Sequence, residues 1–262
     1  TNMQADLHAG VTTARDMGSH SNGYAEIDIR NAINDGELDG PRFQVAGRGI
    51  VWGARPPEPG STPNPRSAIV VRSADEGRAA VREHVAKGVD LMKLYPGGAY
   101  SFGPSGEERY QTAYPLEVLQ AIVDETHKSG RKAGCHVFGG EGLQNAITAG
   151  CDTIEHGYGL KQAQLDQMVA KGIAYDVTFA RYSSPYMDDN DAKNTGGKYR
   201  IVPIFERAMR MAIATPRLAV LLGSGVDGNY FVHGTQAIEF EKLVTQGGMT
   251  PNIEAAISEG RD

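Results

Sequence analysis

The sequence predicts an α/β chain built as a parallel barrel, and three observations carry that prediction. Short apolar runs rich in β-branched residues alternate with helical patterns, glycines stand between the helices and the runs that follow, and the long connections all come after runs. Short returns from helix to strand, with the long connections gathered at the opposite strand ends, describe a barrel whose working face is its C-terminal rim. A doubly wound open sheet would share the alternation, but the sequence has no Gly-x-Gly-x-x-Gly or phosphate-loop motif to accompany it. Residues 1–262 are read as one domain, since single α/β barrels commonly run to about 250 residues.

The expected strands begin with Val11 to Arg15 and Arg42 to Ala46. Trp52 to Arg72 then carries five prolines and is read as a loop. Ser73 and Glu76 form a Ser-x-x-Glu capping signature that opens a helix over Ala74 to Ala86, and Gly88 leads into a strand over Val89 to Tyr95. A Gly/Ser-rich loop reaches Pro115, which suits the first turn of a helix over Leu116 to Lys128; Gly130 then precedes the strand Lys132 to Phe138. The rhythm repeats with a helix over Glu141 to Thr148, Gly150 and a strand over Asp152 to Glu155. It repeats again with a helix over Lys161 to Ala170, Gly172 and a strand over Ile173 to Thr178. A polar loop, a helix over Ile204 to Ala214 and a strand over Leu218 to Gly223 make seven expected strands.

Composition removes several function classes. With 26 Lys and Arg against 32 Asp and Glu, the net charge is −6, which gives a nucleic-acid backbone no basic stripe to bind. No apolar run approaches the ~18 residues of a membrane span. Cys135 and Cys151 are too few for a disulfide framework and lack Cys-x-x-Cys spacing, so both read as small buried hydrophobes. The chain opens on Thr1 with no basic and apolar leader, so the natural N-terminus is expected elsewhere and no location is assigned.

Polar residues at the expected strand ends are Asp16, Lys93, His136, His156 and Asp227. Lys93 shares its strand face with Val89, Leu91 and Tyr95, which points its amine into the interior. Desolvation there favours a neutral amine able to act as a base, form a Schiff base or add carbon dioxide; the bland reading is a lysine paired with a carboxylate. His136 and His156 end runs one βα unit apart, so neighbouring strands would set two imidazoles side by side, a pattern suited to zinc or a similar ion. Counted by alternation from these histidines, Cys135 and Glu155 face the helices and read as structural. Asp227 follows the last strand and a Gly-flanked turn; it is read as a metal ligand and proton acceptor, against a plain capping role. His233 is open between substrate contact and a helix cap, and His8, His20, His84 and His127 read as surface groups.

Gly10-Val11-Thr12-Thr13-Ala14-Arg15-Asp16-Met17-Gly18, Lys93, His136, the segment from Ala146 to Gly157, and Gly223-Ser224-Gly225-Val226-Asp227 together resemble the amidohydrolase superfamily. The similarity is to its imidazolonepropionase-related, dipeptidase-like branch, near the amidohydrolases that cleave ochratoxin-type amides. It implies a distorted (β/α)8, TIM-like barrel of the metal-dependent hydrolase type. It implies zinc or a like divalent metal, one or two ions, with a carbamate on Lys93 as bridging ligand and His136, His156 and Asp227 as further ligands. Asp227 would also move the proton. Arg181 and Tyr182 would hold a substrate carboxylate, because guanidinium meets carboxylate bidentately. The partner is then a small-molecule amide, with neither nucleic acid nor membrane, and assembly into homo-oligomers is a further implication.

The sequence departs from that family at one point: it holds no His-x-His pair, which the family carries on its first barrel strand. With seven expected strands, it reads as a fragment lacking the first strand and the flanking β-sandwich. The leading expectation is hydrolysis of a peptide-like amide in a dipeptide or N-acyl amino acid. The alternatives are hydrolysis of a cyclic amide, lactone or phosphotriester, and an inactive barrel that needs a partner segment.

Overall fold

The computed structural model describes residues 1–18, 22–53, 65–183, 198–226 and 232–249. After helix α1 (Asn2–His8) come β1 (Thr13–Asp16), α2 (Ala25–Asn34) and β2 (Arg42–Val45). A parallel pair follows, β3 (Gly49–Trp52) with β4 (Ala68–Val71), then α3 (Ala74–Lys87) and β5 (Leu91–Leu94). A hairpin of β6 (Tyr100–Phe102) and β7 (Glu108–Tyr110) fills the next loop. The rhythm then runs α4 (Leu116–Lys128), β8 (Lys132–Val137), α5 (Gly140–Ala149), β9 (Thr153–His156), α6 (Gln162–Lys171) and β10 (Ala174–Asp176). The chain continues through the short α7 (Phe179–Tyr182), α8 (Lys198–Ala214), β11 (Val220–Leu221) and α9 (Ala237–Thr245).

All seven expected strands are present. β11-β10-β9-β8-β5 run side by side in one parallel sheet, which continues into β3 and β4, while β1 and β2 form a parallel pair of their own. Asp90, just before β5, joins that pair to the sheet: its amide donates to the Val45 carbonyl at 2.8 Å and its carboxylate accepts from the Val45 amide at 2.9 Å. β4 and the β6–β7 hairpin lie in stretches read as loop, where prolines and glycines mask short strands, and β3 lies in the stretch between Ala46 and Trp52 to which no strand was assigned. Among the described residues β1 and β11 do not pair; two side chains link the first elements to the last. Arg15 of β1 reaches β9 and β10, and Asp6 of α1 binds the segment before α9.

Parallel partners in register share a face, so the register assigns the interior. Lys93 pairs with Gly134, Gly134 with Thr153, His136 with Glu155, and Glu155 with Asp176. These residues line the inside. Their neighbours Cys135, Ile154 and Tyr175 are fully buried on the other face, under the helices, in a core with Leu119, Ile122 and Leu143. Gly134 is required on the inner face: a Cβ there would lie 2.2 Å from the Met17 side chain and 3.2 Å from Glu155 Oε1.

The local signals mostly hold. The Ser73 hydroxyl accepts from the Glu76 amide at 3.2 Å, although Glu76 itself binds the Arg72 amide rather than that of Ser73. Gly88, Gly150 and Gly172 close α3, α5 and α6 in the left-handed conformation. Two readings are corrected. Cys135 and Cys151 are buried but joined in a disulfide: their spacing of 16 residues is one βα unit, which returns the chain beside itself with Cα atoms 6.1 Å apart. His84 is fully buried, not a surface group, with its ring nitrogens at the Ala80 and Arg48 carbonyls.

Candidate active site

His136 and His156 meet at the C-terminal ends of β8 and β9. The register alone would not bring them together, because it places Val137, not His136, opposite His156. Strand alternation ends at His156, whose φ is +76°, a left-handed conformation that costs a non-glycine residue about 1–3 kcal/mol. That turn swings the imidazole to the interior side, with its Nε2 2.9 Å from Nδ1 of His136. The Tyr175 hydroxyl donates to the His156 carbonyl at 2.7 Å and so steadies the turned backbone. The same break corrects the placement of Glu155, which faces the interior and not the helices.

Thr178 decides the tautomer of His156. Its hydroxyl donates its one hydrogen to the Val177 carbonyl at 2.7 Å, so toward His156 Nδ1, 2.6 Å away, it can only accept. On this network the His156 hydrogen sits on Nδ1 and its Nε2 lone pair faces His136. Burial, then His136, Lys93 and Arg181, hold the imidazole pKa well below its ordinary value, so the ring is neutral. Thr178 is itself β-branched at φ +54°, so two strained residues share one hydrogen bond.

Beneath the pair lies Lys93, buried, with its ammonium 5.3 Å from the centre of the Tyr95 ring. Glu155, Asp176 and Asp16 act on it electrostatically from the floor of the site. Burial drives its pKa down against the pull of Glu155. The Tyr95 ring packs 5.0 Å from His136, and burial raises its phenol to about 12. The floor is a charge cluster: Arg15 donates to Asp176 at 2.8 Å, to Glu155 at 3.2 Å and to Thr153 at 3.2 Å. Glu155 is pushed up by burial, but Arg15 and Lys93 outweigh this and hold it below its ordinary value. Burial and then Glu155 push Asp176 well above its ordinary value, against the pull of Arg15.

Arg181 and Tyr182 also reach this place. The Tyr182 ring lies 5.3 Å from that of His156, edge-on, and Arg181 donates to the Gly225 carbonyl at 3.4 Å with its guanidinium 5.6 Å from the Tyr182 ring. Phe138 packs 4.8 Å from His136 and stacks on Tyr158 at 4.6 Å, an apolar wall on one side of the pair. His233 is held elsewhere: its Nδ1 donates to Asp6 at 2.7 Å, and the Gly234 amide donates to the same carboxylate at 3.1 Å. Asp227 lies outside the described residues. Thr178, Arg15 and Tyr95 were not singled out from the sequence as site residues, although each ends an expected strand and that position was the available signal.

A divalent metal fits the donor set in one way. The lone pair of His156 Nε2 is presented toward His136, and two imidazoles on one tetrahedral zinc stand about 3.3 Å apart, so the pair need open by only roughly 0.4 Å. Among the described residues no three His, Cys, Asp or Glu side chains gather at one metal position.

The model described as Amidohydrolase family matches residues 1–247. The chain is 25% identical over 264 residues to the ochratoxinase of Aspergillus niger, a match covering 94% of this chain and 53% of that protein. It is 28% identical over 247 residues to an uncharacterized protein of Mycobacterium tuberculosis, covering 92% and 60%. It thus spans little more than half the length of these curated relatives. Among solved structures, a Xaa-Pro dipeptidase with bound methionine in its active site superposes with a TM-score of 0.78 at 26% identity, over 97% of this chain and 64% of that one. The A. niger ochratoxinase structure gives 0.76 at 24% identity, over 97% and 60%, a likeness of fold.

Proposed function

The chain belongs to the amidohydrolase family, and from that premise we propose that it cleaves the amide bond of a dipeptide or N-acyl amino acid by metal-assisted hydrolysis. The observation that carries the reading is the neutral His156, its tautomer set by Thr178, facing His136 above a lysine buried on the inner face, where desolvation outweighs the pull of Glu155. The names of the similar proteins, a Xaa-Pro dipeptidase and an ochratoxinase, support the substrate class.

A divalent cation, zinc by ligand type, held by His136, His156 and a Lys93 carbamate, would supply Lewis acidity toward the scissile carbonyl and lower the pKa of the attacking water. The chain's own residues supply the rest. Burial holds Lys93 toward its neutral amine, whose nitrogen lone pair forms a bond to the carbon of carbon dioxide and whose lost proton leaves to solvent. The resulting anion answers the need for a third negative or neutral ligand. Asp227 takes a proton from the attacking water and returns it to the leaving amine nitrogen. Arg181 and Tyr182, placed beside the histidine pair, receive the substrate carboxylate, and Phe138 with Tyr158 keeps water from that side.

The test is to assay the full-length protein, zinc- and bicarbonate-supplemented, against N-acyl amino acids and dipeptides by amine release. Hydrolysis is expected, with Lys93→Ala and His156→Asn each at least about 10³-fold slower, the scale of several kcal/mol of lost transition-state stabilisation. Turnover only of cyclic amides, lactones or phosphotriesters would move the substrate class. No turnover together with no bound metal would overturn the reading in favour of an inactive barrel.

A further inference from the structure

We propose that Glu239 is a positioning residue of this site: its buried carboxylate fixes the segment Thr178 to Tyr182, and through it the tautomer of His156 and the placement of Arg181. The part concerning Arg181 rests on the hydrolase reading above; the part concerning His156 does not.

Helix α7 lacks a local side-chain cap. Thr178 stands at the N-cap of α7, where a threonine hydroxyl ordinarily accepts from the helix's first free amides. Here it makes no such bond, because its hydroxyl is committed to Val177 and His156. The orphaned amides are bound from a distance instead. Glu239 of α9, fully buried, accepts from the Phe179 amide through Oε1 at 2.7 Å and from the Ala180 amide through Oε2 at 2.6 Å. Each oxygen holds one of two consecutive amides, which fixes the orientation of the peptide units next to Thr178. A β-branched residue at φ +54° keeps that conformation only where its surroundings over-determine it. The segment so held carries both the acceptor that orients His156 and the Arg181–Tyr182 pair beside it. Glu239 makes no ion pair among the described residues, and its two oxygens are taken up by these two amides.

The test is NMR on the full-length protein as purified, reading the His156 Nδ1–H proton and the amides of 178–182. In the wild type the Nδ1–H is expected as a slowly exchanging resonance; Thr178→Ser should retain it and Thr178→Val should lose it, which calibrates the signal. Glu239→Gln, which replaces one acceptor by a donor, is expected to speed exchange at the His156 Nδ1–H and at the Phe179 and Ala180 amides at least about tenfold, while core amides such as Leu143 and Ile154 stay unchanged. Unchanged exchange in Glu239→Gln, or acceleration spread evenly over the core, overturns the proposal. Should that variant fail to fold, the wild-type Phe179 and Ala180 amides decide: protection like that of the core supports it, exchange at loop rates overturns it. Failure of every amide substrate would end the hydrolase reading and leave the His156 result standing.

Discussion

Glu155 and Glu239 are both buried carboxylates that serve the same site, yet they are accommodated by opposite means. Glu155, on the floor, sits against a guanidinium at 3.2 Å and stays below the usual carboxylate range. Glu239, in the wall, has two backbone amides and no ion pair among the described residues, and burial pushes it up to about 7. A full counter-charge offsets desolvation where two amide dipoles offset only part of it. The floor is therefore built to keep its charge, and the wall to hold a segment in place.

The largest way to break this contrast is Arg15→Ala, which leaves Glu155 and Asp176 buried without their cation. Urea unfolding should show a loss of about 3–5 kcal/mol; a loss below about 1 kcal/mol would mean that the cluster does not depend on Arg15. Stability against pH sharpens the contrast, because the two carboxylates act with opposite sign. Glu239 is raised from 4.5 to about 7 in the folded chain, so its contribution is full below about 4.5 and declines as pH rises through 7, by about 3 kcal/mol. Lys242 faces it and opposes the rise, and the Tyr175 phenol, pushed well above its range, stays neutral beside it. Glu239→Gln should flatten that decline. Glu155, held low, contributes stability at neutral pH that is lost as pH falls, and Glu155→Gln should remove that acid limb. A smaller effect is expected from Thr178→Val: metal affinity roughly 10–100-fold weaker by chelator competition, since the partner orienting His156 is gone. The smallest is Arg78→Ala, which breaks the pair to Asp75, itself 94% exposed, and should shift unfolding by less than about 0.5 kcal/mol.

The contrast also shows what a reader of the sequence could see. The strand and helix rhythm was legible because its signals are local: Leu116–Lys128 is bounded by a proline before and a glycine after, and Gly88, Gly150 and Gly172 end their helices as composition suggests. Lys93, His136 and His156 were legible as strand-end polar residues. Glu239 was not, because an acidic residue in a helical stretch carries no mark of the amides it meets 59 and 60 residues away. Arg15 was hidden for the same reason, its partners lying 138 to 161 residues on. Glu155 was misplaced because alternation was counted back from His156, where the backbone turns left-handed and alternation fails. The cysteines were misread by counting them, when their spacing of one βα unit was the informative quantity.

The left-handed backbone of His156 separates two quantities in a scan of every substitution at that position. Abundance should follow backbone tolerance, with Gly, Asn and Asp accumulating best and Val, Ile and Thr worst. Activity should be absent in all of them alike. A position where expression ranks substitutions steeply and function ranks them not at all is the signature of a side chain selected for its nitrogen and a backbone selected for its turn.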